Sequence, residues 1–140
     1  ASVVFSAPSS GASGHFTGGS NTETDTTDAS GVATASQFTA NTVAGNQAVT
    51  ASASQGGVVF NLTNTAGAPT AVKMVSGQDQ TAAVNTAFAN PFVAEPVDQY
   101  GNPVPFTGML FGGPTSGPGG TFSNGQTYET DTANAQGQAT

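Results

Sequence analysis

Short runs that alternate apolar and polar residues recur along the chain, separated by clusters of Gly, Pro, Asn, Asp and Ser. Alternation of this kind predicts β-strands with one buried face, and the clusters predict the turns between them. No stretch of adequate length shows a period of 3.6 residues, so the pattern predicts no helix. The predicted strands cover residues 2–7, 21–26, 31–39, 47–54, 58–63, 71–76, 92–97, 107–112, 127–132 and 137–140.

Composition supports the same fold class. Val and Phe supply most of the large apolar residues, Ile is absent, and 19 glycines and 8 prolines punctuate the chain. β-branched and aromatic residues fit a pleated sheet, whereas straight-chain helix formers are scarce here. The clustering of Phe and Val argues against a disordered chain. The sequence therefore predicts an all-β fold, and short strands at this spacing are typical of a β-sandwich.

An internal repeat organises the chain. Residues 3–34 align without a gap on residues 109–140, with 15 identities over 32 positions at an offset of 106 residues. Matched pairs include Phe5 with Phe111 and Phe16 with Phe122. A period of this length is too long for a solenoid and has the size of one β-sandwich domain.

The repeat predicts two truncated domains. Residues 1–66 are expected to be the C-terminal part of one repeat, and residues 67–140 the N-terminal part of the next. The Gly, Pro and Ala residues of segment 63–71 form the predicted linker.

The negative charge of the chain limits the kinds of molecule that it is expected to bind. One Lys stands against eight acidic residues, for a formal net charge of −7. A nucleic-acid-binding surface and a polybasic membrane surface both need cations, so we expect neither. The absence of a long apolar run predicts no membrane insertion, and the absence of Cys excludes disulfides and thiolate chemistry.

Several motifs together resemble the bacterial Ig-like repeats of the invasin/intimin kind. They are FSAPSSGASGHFTGGS (5–20), TTDASGVATA (26–35), FTANTVAGNQAVTASAS (38–54), VVFNLTNTAGAPTAV (58–72) and DQYGNPV (98–104). The resemblance spans nearly the whole chain and implies an Ig-like β-sandwich in a tandem array. It further implies an extracellular or cell-surface location in bacteria and a role in a stalk, a fibre or adhesion.

The acidic strands are the clearest polar signal. Glu23 and Asp25 share one face of a predicted strand, and the pair recurs as Glu129 and Asp131. Two carboxylates on one face repel each other unless a cation neutralises them, and Ca²⁺ prefers oxygen ligands. These four residues, with Asp28 in the following turn, are therefore the candidate calcium ligands.

Two other readings of this pair stay open. A solvated acidic strand face prevents edge-to-edge pairing of sheets, and two carboxylates are also the catalytic groups of glycosidases. The chain has no Trp to form a sugar platform, and His15, its only histidine, lies in a Ser/Gly-rich loop without a G-x-S-x-G motif. We therefore expect no enzyme and no resident cofactor apart from the candidate calcium.

The leading functional hypothesis is a non-catalytic structural or adhesive module. Its expected partners are neighbouring repeats or identical subunits, in a longer array or in a filament completed by strands of the next subunit. The alternative is an adhesin module that binds a glycan or a host protein through loops at one end of the sandwich. Binding loops usually expose aromatic residues or Arg, whereas these loops consist mainly of Gly, Ser, Thr, Asn and Pro.

Overall fold

The computed structural model describes all 140 residues, from Ala1 to Thr140. The chain divides into two compact units, Ala1–Ala66 (unit 1) and Gly67–Thr140 (unit 2), and each is described by itself. Both units consist of antiparallel strands and neither contains a helix, which confirms the predicted all-β class. The small antiparallel sheets are consistent with a β-sandwich.

Unit 1 contains six strands. They are β1 (Ser2–Ser6), β2 (Gly14–Phe16), β3 (Thr22–Thr26), β4 (Phe38–Ala40), β5 (Gly45–Ala53) and β6 (Gly56–Asn64). Four of them form an antiparallel sheet in the order β3-β1-β5-β6, while β2 pairs with β4. The β5–β6 hairpin is the longest element, because nine residue pairs stay in register around a two-residue turn. Gly56 follows this turn with φ 139°, a conformation that favours glycine.

The core of unit 1 lies on one face of the four-stranded sheet. Its buried members are Phe5, Ala7, Phe16, Val49 and Ala51. The ring of Phe16, from β2, lies 6.4 Å from the ring of Phe5 and 4.9 Å from that of Phe38 between centroids. Ala33 and Ala35 pack against the same cluster from residues 31–37, which we call the covering segment. The second layer of unit 1 therefore combines β2, β4 and this segment.

A buried polar network joins two loops of unit 1 to the β5–β6 hairpin. Nδ2 of Asn64 lies 2.9 Å from the carbonyl oxygen of Ser13 and 3.0 Å from that of Val43. It also lies 3.0 Å from Oδ1 of Asn41, while Oδ1 of Asn64 accepts from Nε2 of Gln47 at 2.6 Å. Oε1 of Gln47 is buried without a partner. One amide at the end of β6 thus satisfies polar groups that would otherwise be buried unpaired.

Unit 2 contains two pairs of strands. One is β7 (Ala71–Ser76) with β8 (Val93–Val97), and the other is β9 (Gly108–Gly112) with β10 (Tyr128–Thr132). Isolated bridges join Ala94 to Ala139 and Val97 to Pro103, so β8 is paired along part of its second edge. Most buried residues of unit 2 come from β8 and its surroundings: Glu95, Pro96, Val97, Asp98, Ala133 and Ala139.

Local structure recurs between the segments that align in the sequence. Val4 faces Thr24 across β1 and β3, and the residues 106 positions later, Leu110 and Thr130, face each other across β9 and β10. The loop hydrogen bond from Phe16 N to Ser20 O (2.8 Å) also has its counterpart, from Phe122 N to Gln126 O (2.9 Å). The aligned segments therefore share strand register and loop geometry.

Two predicted strands differ from the structure, and one strand of the structure was not predicted. Residues 31–39 were expected to form one strand, but only Phe38–Ala40 is extended and paired, as β4. The reason is that carboxylates of β3, rather than a neighbouring backbone, bind the N–H groups of Thr34 and Ser36. Residues 137–140 contribute a single bridge instead of a strand, and β2 forms at the end of a predicted turn.

The polar network predicts a specific loss of stability. Replacing Asn64 with Ala removes the donor to the carbonyl of Val43 and the acceptor of Nε2 of Gln47, so Asn64→Ala should destabilise unit 1 by about 1–3 kcal/mol. Asn61→Ala, on the same strand but exposed, should change the free energy of unfolding by less than about 0.5 kcal/mol. Urea denaturation of the two variants measures both values, and equal stabilities would contradict the role given to Asn64.

Candidate functional site

The acidic residues of β3 face the covering segment. Glu23 lies opposite Phe5 and Asp25 lies opposite Val3, so both carboxylates project from the face of the sheet that carries the core. Because β3 is the edge strand, these side chains stand at the border of that face. We call Glu23 and Asp25 the acidic edge.

Each carboxylate of the acidic edge binds backbone N–H groups. Oδ2 of Asp25 accepts from Thr34 N at 2.7 Å, and Oε1 of Glu23 accepts from Ser36 N at 2.9 Å. The hydroxyl of Ser36 also donates to Oε2 of Glu23. The carboxylates therefore take the place of the carbonyl groups that a neighbouring strand would offer to these N–H groups. Their negative charge makes the hydrogen bonds stronger. Ala33 and Ala35 alternate with the bound residues Thr34 and Ser36, and they pack on the core.

The second acidic pair repeats half of this arrangement. Oδ2 of Asp131 accepts from Thr140 N at 2.8 Å, in the same way that Asp25 accepts from Thr34. This hydrogen bond, and next the one from Thr132 N, hold the pKa of Asp131 below its ordinary value. Glu129 occupies the position that corresponds to Glu23 and makes no side-chain hydrogen bond. Ser36, the partner of Glu23, has no counterpart among residues 109–140, so only the aspartate contact can be compared between the units.

Asp28 builds a turn. Its Oδ1 accepts from Ser30 N (2.8 Å), Val32 N (3.0 Å) and the Ser30 hydroxyl (2.6 Å), and the last contact is the main reason that the pKa of Asp28 is lowered. Gly31, with φ 85°, closes the loop through its N–H to the carbonyl of Asp28. A type I turn followed by glycine at positive φ is a common three-residue hairpin loop.

The same turn occurs twice in unit 2. Oδ1 of Asn134 accepts from Gln136 N at 2.9 Å and from Gln138 N at 3.0 Å. Oδ1 of Asp98 accepts from Tyr100 N and from Asn102 N, each at 2.9 Å. The turn therefore accepts either Asp or Asn at its first position, because one side-chain oxygen makes its defining contacts.

Asp98 has additional partners. Its Oδ2 accepts from Gly67 N at 2.9 Å and from Nδ2 of Asn102 at 2.9 Å. The side chain is buried, and its hydrogen bonds, that from the Asn102 side chain above all, lower its pKa to about 2. Asp98 therefore attaches the start of unit 2 to the turn that follows β8.

The structure does not gather the candidate calcium ligands into one site. Glu23 and Asp25 lie together on β3 and bind the covering segment, whereas Asp28 binds its own turn. Glu129 and Asp131 form a separate pair on β10. No group of three or more Asp, Glu, His or Cys side chains is arranged to hold a metal ion. Binding of Ca²⁺ by these residues, which would take six to eight oxygen ligands, stays a prediction.

His15 belongs to unit 1 and Lys73 to unit 2. His15 is exposed on β2, opposite Thr39, and its imidazole contacts no carboxylate. Lys73 is exposed on β7, and its Nζ lies 3.8 Å from Oε1 of the buried Glu95 on the facing strand. The two residues are thus placed on separate sheets.

The inner face of β6 exposes three large apolar side chains. Val58, Phe60 and Leu62 lie opposite Ala51, Val49 and Gln47 of β5, so they project from the core face of the sheet. They are nevertheless 59%, 50% and 40% exposed. We call these three residues the uncovered face. The outer edge of β6 is also unpaired.

Sequence reasoning placed these features only in part. It found the acidic pairs but did not foresee that their partners would be backbone N–H groups of the segment nine to thirteen residues later. It placed Val58, Phe60 and Leu62 on a strand, and their alternation was the available signal for one shared face. Whether that face is covered depends on which other strands are present, and alternation alone does not report this.

Comparison with known proteins adds no relative to this description. No protein-family model, no curated protein and no solved structure matches the chain. The structure contains no helix of the length and apolarity required to cross a membrane.

The two acidic pairs provide a matched test of the acidic edge. Glu23→Ala removes the acceptor for two groups of Ser36 and should destabilise unit 1 by about 1–2 kcal/mol. Glu129→Ala, at the corresponding position without a partner, should change stability by less than about 0.5 kcal/mol. Chemical denaturation of both variants without added metal gives the comparison. Equal losses would mean that Glu23 does not act through Ser36.

The lowered pKa of Asp98 predicts that unit 2 loses stability in acid. Because its folded pKa, about 2, lies below the ordinary value of 3.8, the ionised carboxylate favours the folded state. This contribution is fully present above about pH 4 and is lost as the pH falls towards 2. Thermal melting between pH 5 and pH 2 should show this loss in the wild type and a weaker dependence in Asp98→Asn.

A second substitution controls for the change from acid to amide. Asp28→Asn should retain the stability of the wild type at pH 7, since Asn134 makes the same turn in unit 2. Asp98→Asn should be less stable at pH 7, because an amide nitrogen cannot accept from Gly67 and Asn102. If both variants behave alike at neutral pH, the contacts of Oδ2 in Asp98 contribute little.

Proposed function

We propose that this chain is a non-catalytic structural module composed of parts of two tandem Ig-like β-sandwich repeats. The observation that carries the proposal is the shared framework 106 residues apart. It includes the register of β1–β3 and β9–β10, the Asx turn at residues 28 and 134, and the carboxylate bonds to Thr34 and Thr140. Fifteen identities alone would support a repeat, but matching main-chain and side-chain bonds support a repeated fold.

The strands of the two units are complementary. Unit 1 has β4, β5 and β6 after its acidic edge, and unit 2 has β7 and β8 before its own acidic strand. A complete repeat would therefore run from 67 to 140 and continue as 35–66, since Thr140 corresponds to Thr34. Such a repeat would contain every strand seen in either unit once, except β2, whose counterpart at residues 120–122 is not a strand in unit 2.

Composition supports an extracellular stalk or fibre of a bacterial surface as the setting. With one Lys and no Arg, the chain offers almost no site to trypsin-like proteases. Its stability needs no disulfide, because the core of unit 1 is built from Phe, Val and Ala. The net charge of −7 keeps such a protein soluble and repels other acidic surfaces. In this role the partners are neighbouring repeats or identical subunits.

A spliced chain tests the proposal directly. Residues 67–140 followed at once by residues 35–66 should fold as a monomer with a single cooperative transition. Covering Val58, Phe60 and Leu62, each about half exposed, is worth roughly 3 kcal/mol in total. The melting temperature should therefore exceed that of the 140-residue chain by about 10–20 °C. Circular dichroism and sedimentation equilibrium provide the two readouts.

A spliced chain that omits residues 35–44 serves as the control. When residues 45–66 follow Thr140 instead, the chain lacks part of the covering segment and all of β4, so it should melt at a lower temperature and less cooperatively. The proposed tandem repeat would be refuted if the chain that joins residues 67–140 to residues 35–66 is unfolded or no more stable than this control.

A further inference from the structure

We propose that the carboxylate of Asp98 clamps the start of unit 2 and thereby confines the flexible joint between the two units to Thr65 and Ala66. The clamp goes beyond the proposed function, because it is a conformational device of the connection rather than of either unit. It uses only contacts inside each unit, so it holds whether or not the units are parts of repeats.

The joint begins directly after Asn64, which unit 1 holds in place. The backbone of Asn64 is the last position of β6 and pairs with Gly45. Its buried side chain donates to the carbonyl oxygens of Ser13 and Val43, at 2.9 Å and 3.0 Å. Releasing a buried amide from its partners is costly, so we expect motion of the joint to stop at the end of β6.

Unit 2 holds the chain again from Gly67. The N–H of Gly67 donates to Oδ2 of Asp98 at 2.9 Å, and the N–H of Thr70 donates to the carbonyl of Val97 at 2.8 Å. β7 starts at the next residue, Ala71. Because Asp98 is a buried carboxylate, its bond to Gly67 is charge-assisted and stronger than a bond between neutral groups.

The free part of the connection is shorter than the linker that the sequence predicts. Residues 63–71 form that predicted linker, but residues 63 and 64 belong to β6 and Ala71 belongs to β7. Thr65 and Ala66 make no hydrogen bond to either unit. They are the only residues between the last contact of unit 1 and the first contact of unit 2.

The bond from Gly67 determines the length of the joint. Without it, the first residue of the connection attached to unit 2 is Thr70, so the free segment grows from two residues to five. The end-to-end distance of a flexible segment grows with the square root of its length, and the longer segment therefore allows roughly 1.6 times the spread. The clamp thus limits how far the two units can reorient.

Comparison of the three Asx turns shows why this position carries an acid. The turns at Asp28 and Asn134 are built on one side-chain oxygen, Oδ1, and an amide builds the turn as an acid does. In Asp98, Oδ1 builds the turn, while Oδ2 accepts from Gly67 and from Nδ2 of Asn102. An asparagine at this position would keep the turn, but its amide nitrogen could not accept from these two donors.

Backbone dynamics of the full wild-type chain test the extent of the joint. NMR relaxation should give Thr65 and Ala66 order parameters below about 0.6, and Gly67 and Thr70 values of about 0.85. The amide of Gly67 should also exchange with solvent at least about tenfold more slowly than that of Ala66, because only Gly67 is hydrogen-bonded. Equal order parameters at Ala66 and Gly67 would overturn the proposal.

Two substitutions separate the clamp from the stability of the turn. Asp98→Asn removes the acceptor of Gly67, so the order parameter of Gly67 should fall below about 0.6 while Thr70 keeps its value. Asn102→Ala removes the bonds from Nδ2 to Asp98 but leaves the acceptor of Gly67, which should stay ordered. Loss of order at Gly67 in both variants, or in neither, would contradict the clamp. The wild-type comparison of Ala66 with Gly67 does not depend on the folding of either variant.

Spin labels measure the consequence for the two units. The chain has no native Cys, so Val32→Cys in unit 1 and Val84→Cys in unit 2, both at exposed positions, provide one labelling site each. The distribution of distances between the labels should be about 1.6-fold broader with Asp98→Asn than without it, and unchanged with Asn102→Ala. Equal widths with and without Asp98→Asn would refute the clamp.

The spliced chain separates this inference from the proposed function. If the spliced chain fails to fold while Gly67 is ordered and Ala66 is mobile, the tandem repeat is wrong and the clamp stands. If the spliced chain folds while Gly67 is as mobile as Ala66, the tandem repeat stands and the clamp is wrong.

Discussion

The contact between the carboxylate of a β-strand and a backbone N–H nine residues later determines how each unit is built. Asp25 bonds Thr34 in unit 1, and Asp131 bonds Thr140 in unit 2. In both cases the chain leaves the sheet through an Asx turn and returns over the core side of the same strand. Without this acceptor the returning segment would lose a charge-assisted hydrogen bond, and its N–H group would bind water instead.

The hydrogen bonds of the acidic edge give its two carboxylates a structural role. Glu23 and Asp25 lie on one face of β3, and each binds its own backbone N–H group. Hydrogen bonds to the charged form offset the repulsion that two neighbouring carboxylates would otherwise feel. In a chain with a single Lys, backbone donors are the principal means of stabilising anionic side chains.

Much of the fold could be predicted from the sequence because it depends on local periodicity. Alternation located β1, β3, β5 and β6 to within a few residues. The covering segment could not be identified, because its sequence pattern resembles that of a strand. The pattern does not show that carboxylates, rather than a neighbouring strand, bind its N–H groups. The exposure of Phe60 could not be foreseen either, because burial depends on strands from elsewhere rather than on alternation.

The turn shared by Asp28 and Asn134 has a consequence for the chemical ageing of this protein. Spontaneous hydrolysis of the Asn134 amide to Asp would keep the oxygen that accepts from Gln136 and Gln138. The product would be the residue already present at position 28, in the same loop with glycine at the same place. Conversion of Asn134 to Asp would add one negative charge to this loop and preserve its backbone. The protein would therefore change in charge before it changes in shape.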